Sequence, residues 1–303
     1  MYFEAKFHDA VEQEASLPGW RQEYRQISKG GYSGQLSAML LPGVQIIREM
    51  INVETEQIFS APKDRVIFYY YPKLDRTELA HGDIIFTGSG FALNWTDRIG
   101  FMDAHSDLLM LVLDCRAVLT EQQRVHSGHF VGSAGQHARF LAEWLLSLLA
   151  LSRASGSELT PQVLSILADI IKDRFEILFQ YSNRRELPYV LDAERTYRLV
   201  RDKLHAAPND VHSVASLSRD LGIPASSLRG ACAKLAPVPL DQMLMTLRLN
   251  GARRDLIQAR DSTRKVSDIA MDWGFFHWGR FASRYRELFG ETPSRTRKGR
   301  PSL

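Results

Sequence analysis

The stretch VSDIAMDWGFFHWGRFASRYRELFG (residues 266–290) decides the architecture of the C-terminal half. Val266, Ile269 and Ala270 share a face at helical spacing, Gly274 interrupts the period, and Phe281, Tyr285 and Leu288 start a second apolar face. Two short amphipathic helices around a glycine turn spell a helix-turn-helix. The same grammar appears upstream in SVASLSRDLGIPASSLRGACAKL (213–235). There Val214, Leu217 and Leu221 form the first helix, Gly222 stops it, Ile223 anchors the turn, and Pro224 precedes a helix packed through Leu228 and Leu235. Between the two units, LDQMLMTLRLNGARRDLIQAR (240–260) is long enough for about five helical turns. A rigid connecting helix would hold two recognition helices in a fixed relation, suited to successive major grooves roughly 34 Å apart on B-DNA.

The faces left over after packing nominate the DNA contacts. Ser226, Ser227 and Arg229 project from the first unit, and His277, Trp278, Arg280 and Ser283 from the second. Arginine pairs bidentately with guanine, whereas each of these side chains is equally at home as a solvated residue or a phosphate contact. Arg248, Arg253 and Arg254 suit intramolecular pairing or the phosphate backbone better than base reading.

Charge divides the chain in the same place. Residues 193–303 carry 20 Lys/Arg against 11 Asp/Glu, and the first 192 carry 18 against 24. A basic rear half behind a mildly acidic front half fits a nucleic-acid reader with a separate sensing domain. The front half is strand-like from about Trp20 to Arg116, in runs such as GQLSAMLLPGVQIIREMIN (34–52), RVIFYYYP (65–72) and LLMLVLDC (108–115). Several such runs between turns predict a barrel or sandwich. HARFLAEWLLSLLALS (137–152) and PQVLSILADIIKDRFEILFQY (161–181) then switch to helical spacing, Pro161 opening the second helix. Val163, Leu167, Ile170, Ile171 and Leu178 lie near one stripe, which suits either a dimer seam or packing on its own domain. The connector NRRELPYVLD (183–192) separates domains placed at 1–185 and 193–303.

RLNGARRDL (248–256) followed by the 266–290 stretch and ETPS resembles the signature of the AraC/XylS transcription regulators, over roughly residues 193–297. The resemblance implies an α+β chain: an N-terminal cupin-like β-barrel with a helical dimerisation segment, then an all-α tandem helix-turn-helix domain. It implies a ligand-responsive regulator, expected to be an activator and a homodimer on double-stranded promoter DNA. Two features depart from the family pattern. Pro237 and Pro239 replace a Gly and a Pro three apart, and Gly230 sits where a longer polar side chain is frequent. The alternative to DNA binding is an interaction module whose basic half docks on an acidic partner.

No apolar run approaches the roughly 18 to 20 residues that span a bilayer, and the first fifteen residues lack a basic start and an apolar core, so a cytoplasmic protein without membrane contact is expected. Cys115 and Cys232 stand alone, one in each half, and suggest neither a disulfide framework nor a thiolate cluster. His81 and His105 are far apart, and His126 and His129 lack an evident third ligand, so no metal and no cofactor is expected. No nucleophile elbow or phosphate loop appears, and the chain is not read as an enzyme.

One further stretch, RQEYRQISKGG (21–31), admits two readings. The first is an edge strand carrying surface arginines, followed by a hairpin turn at KGGYSG. The second starts from the ability of guanidinium groups to clasp phosphates and guanine edges. Arg21 and Arg25, with Ser28 and Gly31, resemble the cyclic-di-GMP signature of PilZ domains, Arg-x-x-x-Arg followed by Asp/Asn-x-Ser-x-x-Gly. Here Gln26 takes the Asp/Asn place and the two elements abut. That resemblance favours cyclic-di-GMP as effector, with exopolysaccharide or biofilm genes as targets. The other effector is a small sugar, amine or aromatic acid inside the barrel, lined by Tyr69, Tyr71, Phe86 and Trp95.

Overall fold

Alternation of apolar side chains along the front-half strands builds a sheet that buries both faces. The computed structural model describes residues 1–72, 79–81, 84–86, 88–93, 98–124, 129–133, 135–155, 159–187, 192–207, 210 and 213–299. In chain order the elements begin with β1 (Tyr2–Phe7), α1 (Ala10–Glu14), β2 (Arg21–Gln26), β3 (Gly34–Leu41), β4 (Val44–Ile51), β5 (Thr55–Ser60) and β6 (Arg65–Tyr70). They continue with β7 (Leu79–His81), β8 (Ile84–Phe86), β9 (Ser89–Leu93), β10 (Arg98–Met102), β11 (Ser106–Asp114), α2 (Cys115–Val118), α3 (Glu121–Arg124) and β12 (His129–Ser133). Two long helices follow, α4 (Gly135–Ser155) and α5 (Pro161–Tyr181), then β13 (Asn183–Leu187). The rest is helical: α6 (Asp192–Ala206), α7 (Val214–Leu221), α8 (Ala225–Leu235), α9 (Leu240–Gln258), α10 (Val266–Asp272), α11 (Trp278–Phe289) and α12 (Pro293–Lys298).

The strands form an eight-stranded sheet in the order β1-β3-β4-β11-β6-β9-β12-β13, a three-stranded sheet β10-β5-β2, and the pair β7-β8. Along β11, Leu109, Leu111 and Leu113 face one core with α4 and α5, while Leu108, Met110 and Val112 face another that includes Met102 of the smaller sheet. Period-two alternation therefore serves two packing partners at once.

Among the described residues these sheets do not close into the expected barrel. β2 joins β5 and not β3, and its outer edge is met by side chains instead of another strand: Tyr24 N–H donates to Glu14 Oε1 (2.8 Å) and Gln26 N–H to Asn250 Oδ1 (2.8 Å). For the same reason the 29–34 segment is no hairpin turn; it carries the chain from one sheet to the other. Within the supposed connector, Asn183–Leu187 pairs as a strand with β12, an edge position that asks for no apolar alternation.

Of the residues proposed to line a barrel cavity, Tyr69 is buried and Tyr71 half-buried, both packed on the core between the two sheets. Gly90 leaves Tyr69 its place: a Cβ there would stand 2.2 Å from the phenol oxygen. Trp95 lies outside the described residues, as does His126.

The C-terminal helices follow the sequence reading closely. Ser213 caps α7 through a capping box, and Gly222 at φ 66° ends it. Pro239 sets the start of α9, and Gly290 at φ 72° ends α11. Leu240, Met243, Leu244 and Leu247 of α9 share a core with α6, α7 and α8, while Leu249, Ala252 and Leu256 share one with α10 and α11. One helix thus contributes to the cores of both units.

Candidate nucleic-acid interface

Ser226, Ser227 and Arg229 are all exposed on α8, whose opposite face buries Leu228, Ala231 and Leu235. His277, Trp278, Arg280 and Ser283 are exposed at the start of α11, opposite buried Phe281, Tyr285 and Leu288. All seven predicted contact residues therefore lie outside the cores, in two groups carried by helices at the two ends of α9. Arg229 Nε reaches Asp241 Oδ2 at 3.8 Å, a surface pair that a phosphate or base would replace at small cost. Phe276, unmarked by the sequence reading, is also exposed, at 67%, beside the α11 N-terminus.

Residues 217–299 match the family model described as a helix-turn-helix domain. This part of the chain is a helix-turn-helix domain. A probable thc operon regulatory protein of Rhodococcus erythropolis is 39% identical over 98 residues, covering 32% of this chain and 29% of that protein. A XylDLEGF operon transcriptional activator of Pseudomonas putida is 45% identical over 53 residues, 18% of this chain and 16% of its own. The chain thus spans less than a third of the length of these curated relatives. Among solved structures, the AraC-like transcriptional activator CuxR aligns over 90% of this chain and 100% of its own at 16% identity and TM-score 0.44. ToxT from Vibrio cholerae aligns over 92% and 96% at 9% identity and TM-score 0.33.

The helix-turn-helix domain does not stand apart from the front half. Arg25, expected on a strand surface or in a nucleotide site, is only 4% exposed. Its Nη1 donates to Glu56 Oε2 (3.1 Å), its Nη2 to Glu23 Oε1 (2.6 Å), and it meets His205 Nε2 of α6. Burial pulls the Arg25 pKa down, and Glu56 and Glu23 more than reverse it, so the group stays charged. Burial and the neighbouring Arg25 cation hold the His205 pKa below its usual value. Ser28 Oγ accepts the Glu54 N–H (2.8 Å), and the Gly31 carbonyl accepts Asn52 Nδ2 (2.9 Å). Arg21, by contrast, is exposed. The four residues of the supposed nucleotide signature are thus not gathered round one open site, because three of them serve the chain's own contacts.

Those contacts form a polar seam running from β2 to α11. Asn250 receives the Gln26 N–H and returns Nδ2 to the Gln26 carbonyl (2.8 Å each), imitating the next strand of the sheet. Gln26 Nε2 donates to the Leu288 carbonyl (2.7 Å), which also takes the Gly30 N–H (2.9 Å). A Cβ on Gly290 would press within 3.1 Å of the Gly31 nitrogen, so the two backbones touch where glycine alone fits easily. Arg254 grips Glu14 bidentately, at 2.6 Å for each arm. Arg253 donates to Asp9 Oδ2 (2.6 Å) and Glu291 Oε1 (2.8 Å). Burial would lower the Arg253 pKa, but Tyr285, Asp9 and Glu291 raise it further. Both arginines therefore do serve intramolecular pairing, as their sequence context suggested.

Between the sheets sits a second polar cluster. Glu49, 3% exposed, accepts Gln13 Nε2 and Tyr24 OH at 2.7 Å each, and burial raises its pKa in spite of those bonds. Among the described residues no group of three or more His, Cys, Asp or Glu is placed to hold a metal, and no helix is long and apolar enough to cross a membrane.

Proposed function

We propose that this chain is a transcription regulator of the AraC/XylS type, an activator rather than an enzyme, that binds promoter DNA through residues 193–303 and senses an effector through residues 1–185. The observation that carries this reading is the helix-turn-helix match over residues 217–299, built as two units on one continuous helix with their nominated contact residues exposed. Activator relatives over part of that region agree with it. α9, 19 residues long and about 28 Å from end to end, carries one unit on each half and so fixes their relative placement.

Anisotropy titrations of the full chain on fragments selected from random DNA test the reading. Arg280→Ala is expected to weaken the specific site by about 1 to 3 kcal/mol at fixed salt while leaving non-specific binding within a few-fold. Failure of the unaltered chain to prefer any sequence over bulk DNA refutes it, and favours docking of the basic half on an acidic protein.

A homodimer through α4 and α5 belongs to the same proposal. Phe140, Leu151, Ile166, Ile170, Ile177 and Tyr181 are exposed on these helices, apolar side chains that a second copy would cover. The stripe singled out in the sequence divides between roles: Ile171 and Leu178 are buried, Val163 and Ile170 exposed.

For the effector, cyclic-di-GMP on Arg21 and Arg25 has a structural condition attached. Arg25 would have to leave Glu56, Glu23 and His205, so nucleotide binding would open the seam between the halves. A small organic molecule between the sheets carries no such condition and is the alternative.

A further inference from the structure

A cleft of about 320 Å³ lies in the seam, lined by residues of β2, α6 and α9 and by Trp273. Four guanidinium groups line it, of Arg25, Arg201, Arg248 and Arg254, against the carboxylates of Glu23 and Asp255. The charges do not cancel evenly. Arg25 is taken by Glu56 and Glu23, Arg254 by Glu14, and Asp255 Oδ2 accepts the Trp273 indole N–H (2.8 Å).

Two arginines remain poorly matched. Arg201 Nε and Nη1 are buried with no hydrogen-bond partner among the described residues, and its Nη2 reaches only Asp202, at 3.4 Å. Arg248 donates a long 3.4 Å bond to the Leu244 carbonyl and lies over the Phe275 ring, and burial with the nearby Arg284 cation lowers its pKa. A desolvated guanidinium with most of its donors unpaired is costly, and its donor fork matches a phosphate's oxygens.

We infer that this cavity is a binding site for a small phosphate-bearing anion, held chiefly by Arg201 of α6 and Arg248 of α9. The volume is at the lower end of ligand pockets, enough for a phosphate with a modest organic body. The occupant would tie α6 to α9 from inside the seam, bridging the helices around which the first unit is built. This inference needs neither DNA binding nor the Arg21-based nucleotide site, and Arg21 does not line the cavity.

The test is calorimetric titration of the full chain with inorganic phosphate and with guanosine 5′-monophosphate, ionic strength held constant with chloride. Saturable binding of at least one probe is expected, weakened at least tenfold by Arg201→Gln and by Arg248→Gln and unchanged by Arg116→Gln, on an exposed arginine outside the cavity. Tighter binding of the monophosphate assigns the remaining space to an organic body; equal binding assigns the site to free phosphate. Absence of saturable binding by both probes, or unaltered affinity in both cavity variants, overturns the inference whatever the chain does with DNA. Circular dichroism of each variant separates lost binding from lost fold.

Discussion

Replacing Asn250 with alanine isolates the seam from both cores. The side chain is 8% exposed and makes three hydrogen bonds: to the Gln26 N–H, to the Gln26 carbonyl, and from Nδ2 to the Thr246 carbonyl (2.7 Å). The last is local to α9 and its loss costs little, since that carbonyl is already part of the helix. The other two leave both peptide groups of an edge residue facing a small void. Each orphaned backbone group costs about 1 to 3 kcal/mol, less what entering water recovers. Together they give a loss of about 2 to 4 kcal/mol, a large share of an ordinary domain's stability. Hydrogen exchange at the Gln26 amide reads this locally: the same free energy corresponds to about 30- to 1,000-fold faster exchange at residue 26, with amides inside β4 and β11 little changed. A loss under about 0.5 kcal/mol in urea unfolding, with Gln26 exchange unaltered, would refute the view that α9 completes the edge of the small sheet.

Three other outcomes follow from the same contacts. Cyclic-di-GMP titrated into the full chain should release heat that Arg21→Ala and Arg25→Ala both abolish; no heat from the unaltered chain removes the nucleotide reading. Ile166→Asp, on a side chain 60% exposed, should turn a dimer into a monomer in light scattering while leaving the circular dichroism spectrum in place, and a persistent dimer would move the interface elsewhere. Because the folded pKa of Glu49 is raised, the native state holds its proton more tightly than the unfolded chain, and that contribution is present at low pH and lost as pH rises through the folded value. Glu49→Gln should therefore gain in melting temperature relative to the unaltered protein as pH rises above the ordinary carboxylate range, and curves that stay parallel would show that Glu49 does not titrate there.

Legibility in the sequence tracked the range of the interactions involved. α5 announces itself through Pro161 at its first turn, and both units of the C-terminal domain through Gly222 and Gly274, because those signals act within a few residues. The exposed faces of α8 and α11 followed from the same periodicity. β2 was readable as a strand, but its neighbour β5 is a polar segment, TEQIFS, and nothing local predicts that it pairs there. The role of Arg25 was hidden for the same reason: Glu56 lies 31 residues away and His205 180. An Arg-x-x-x-Arg spacing looks identical whether the second arginine awaits a phosphate or is already held by carboxylates. Gln26 and Asn250, 224 residues apart, carry no mark in either stretch beyond being amides that suit a strand edge.

The division of α9 between two cores has a geometric corollary. One added residue near its middle would turn everything downstream by about 100° around the helix axis and advance it by about 1.5 Å. The angular phase between the two exposed clusters, and with it any spacing of bases they read together, is therefore counted out in residues along a single rod and cannot be retuned by adjusting a loop.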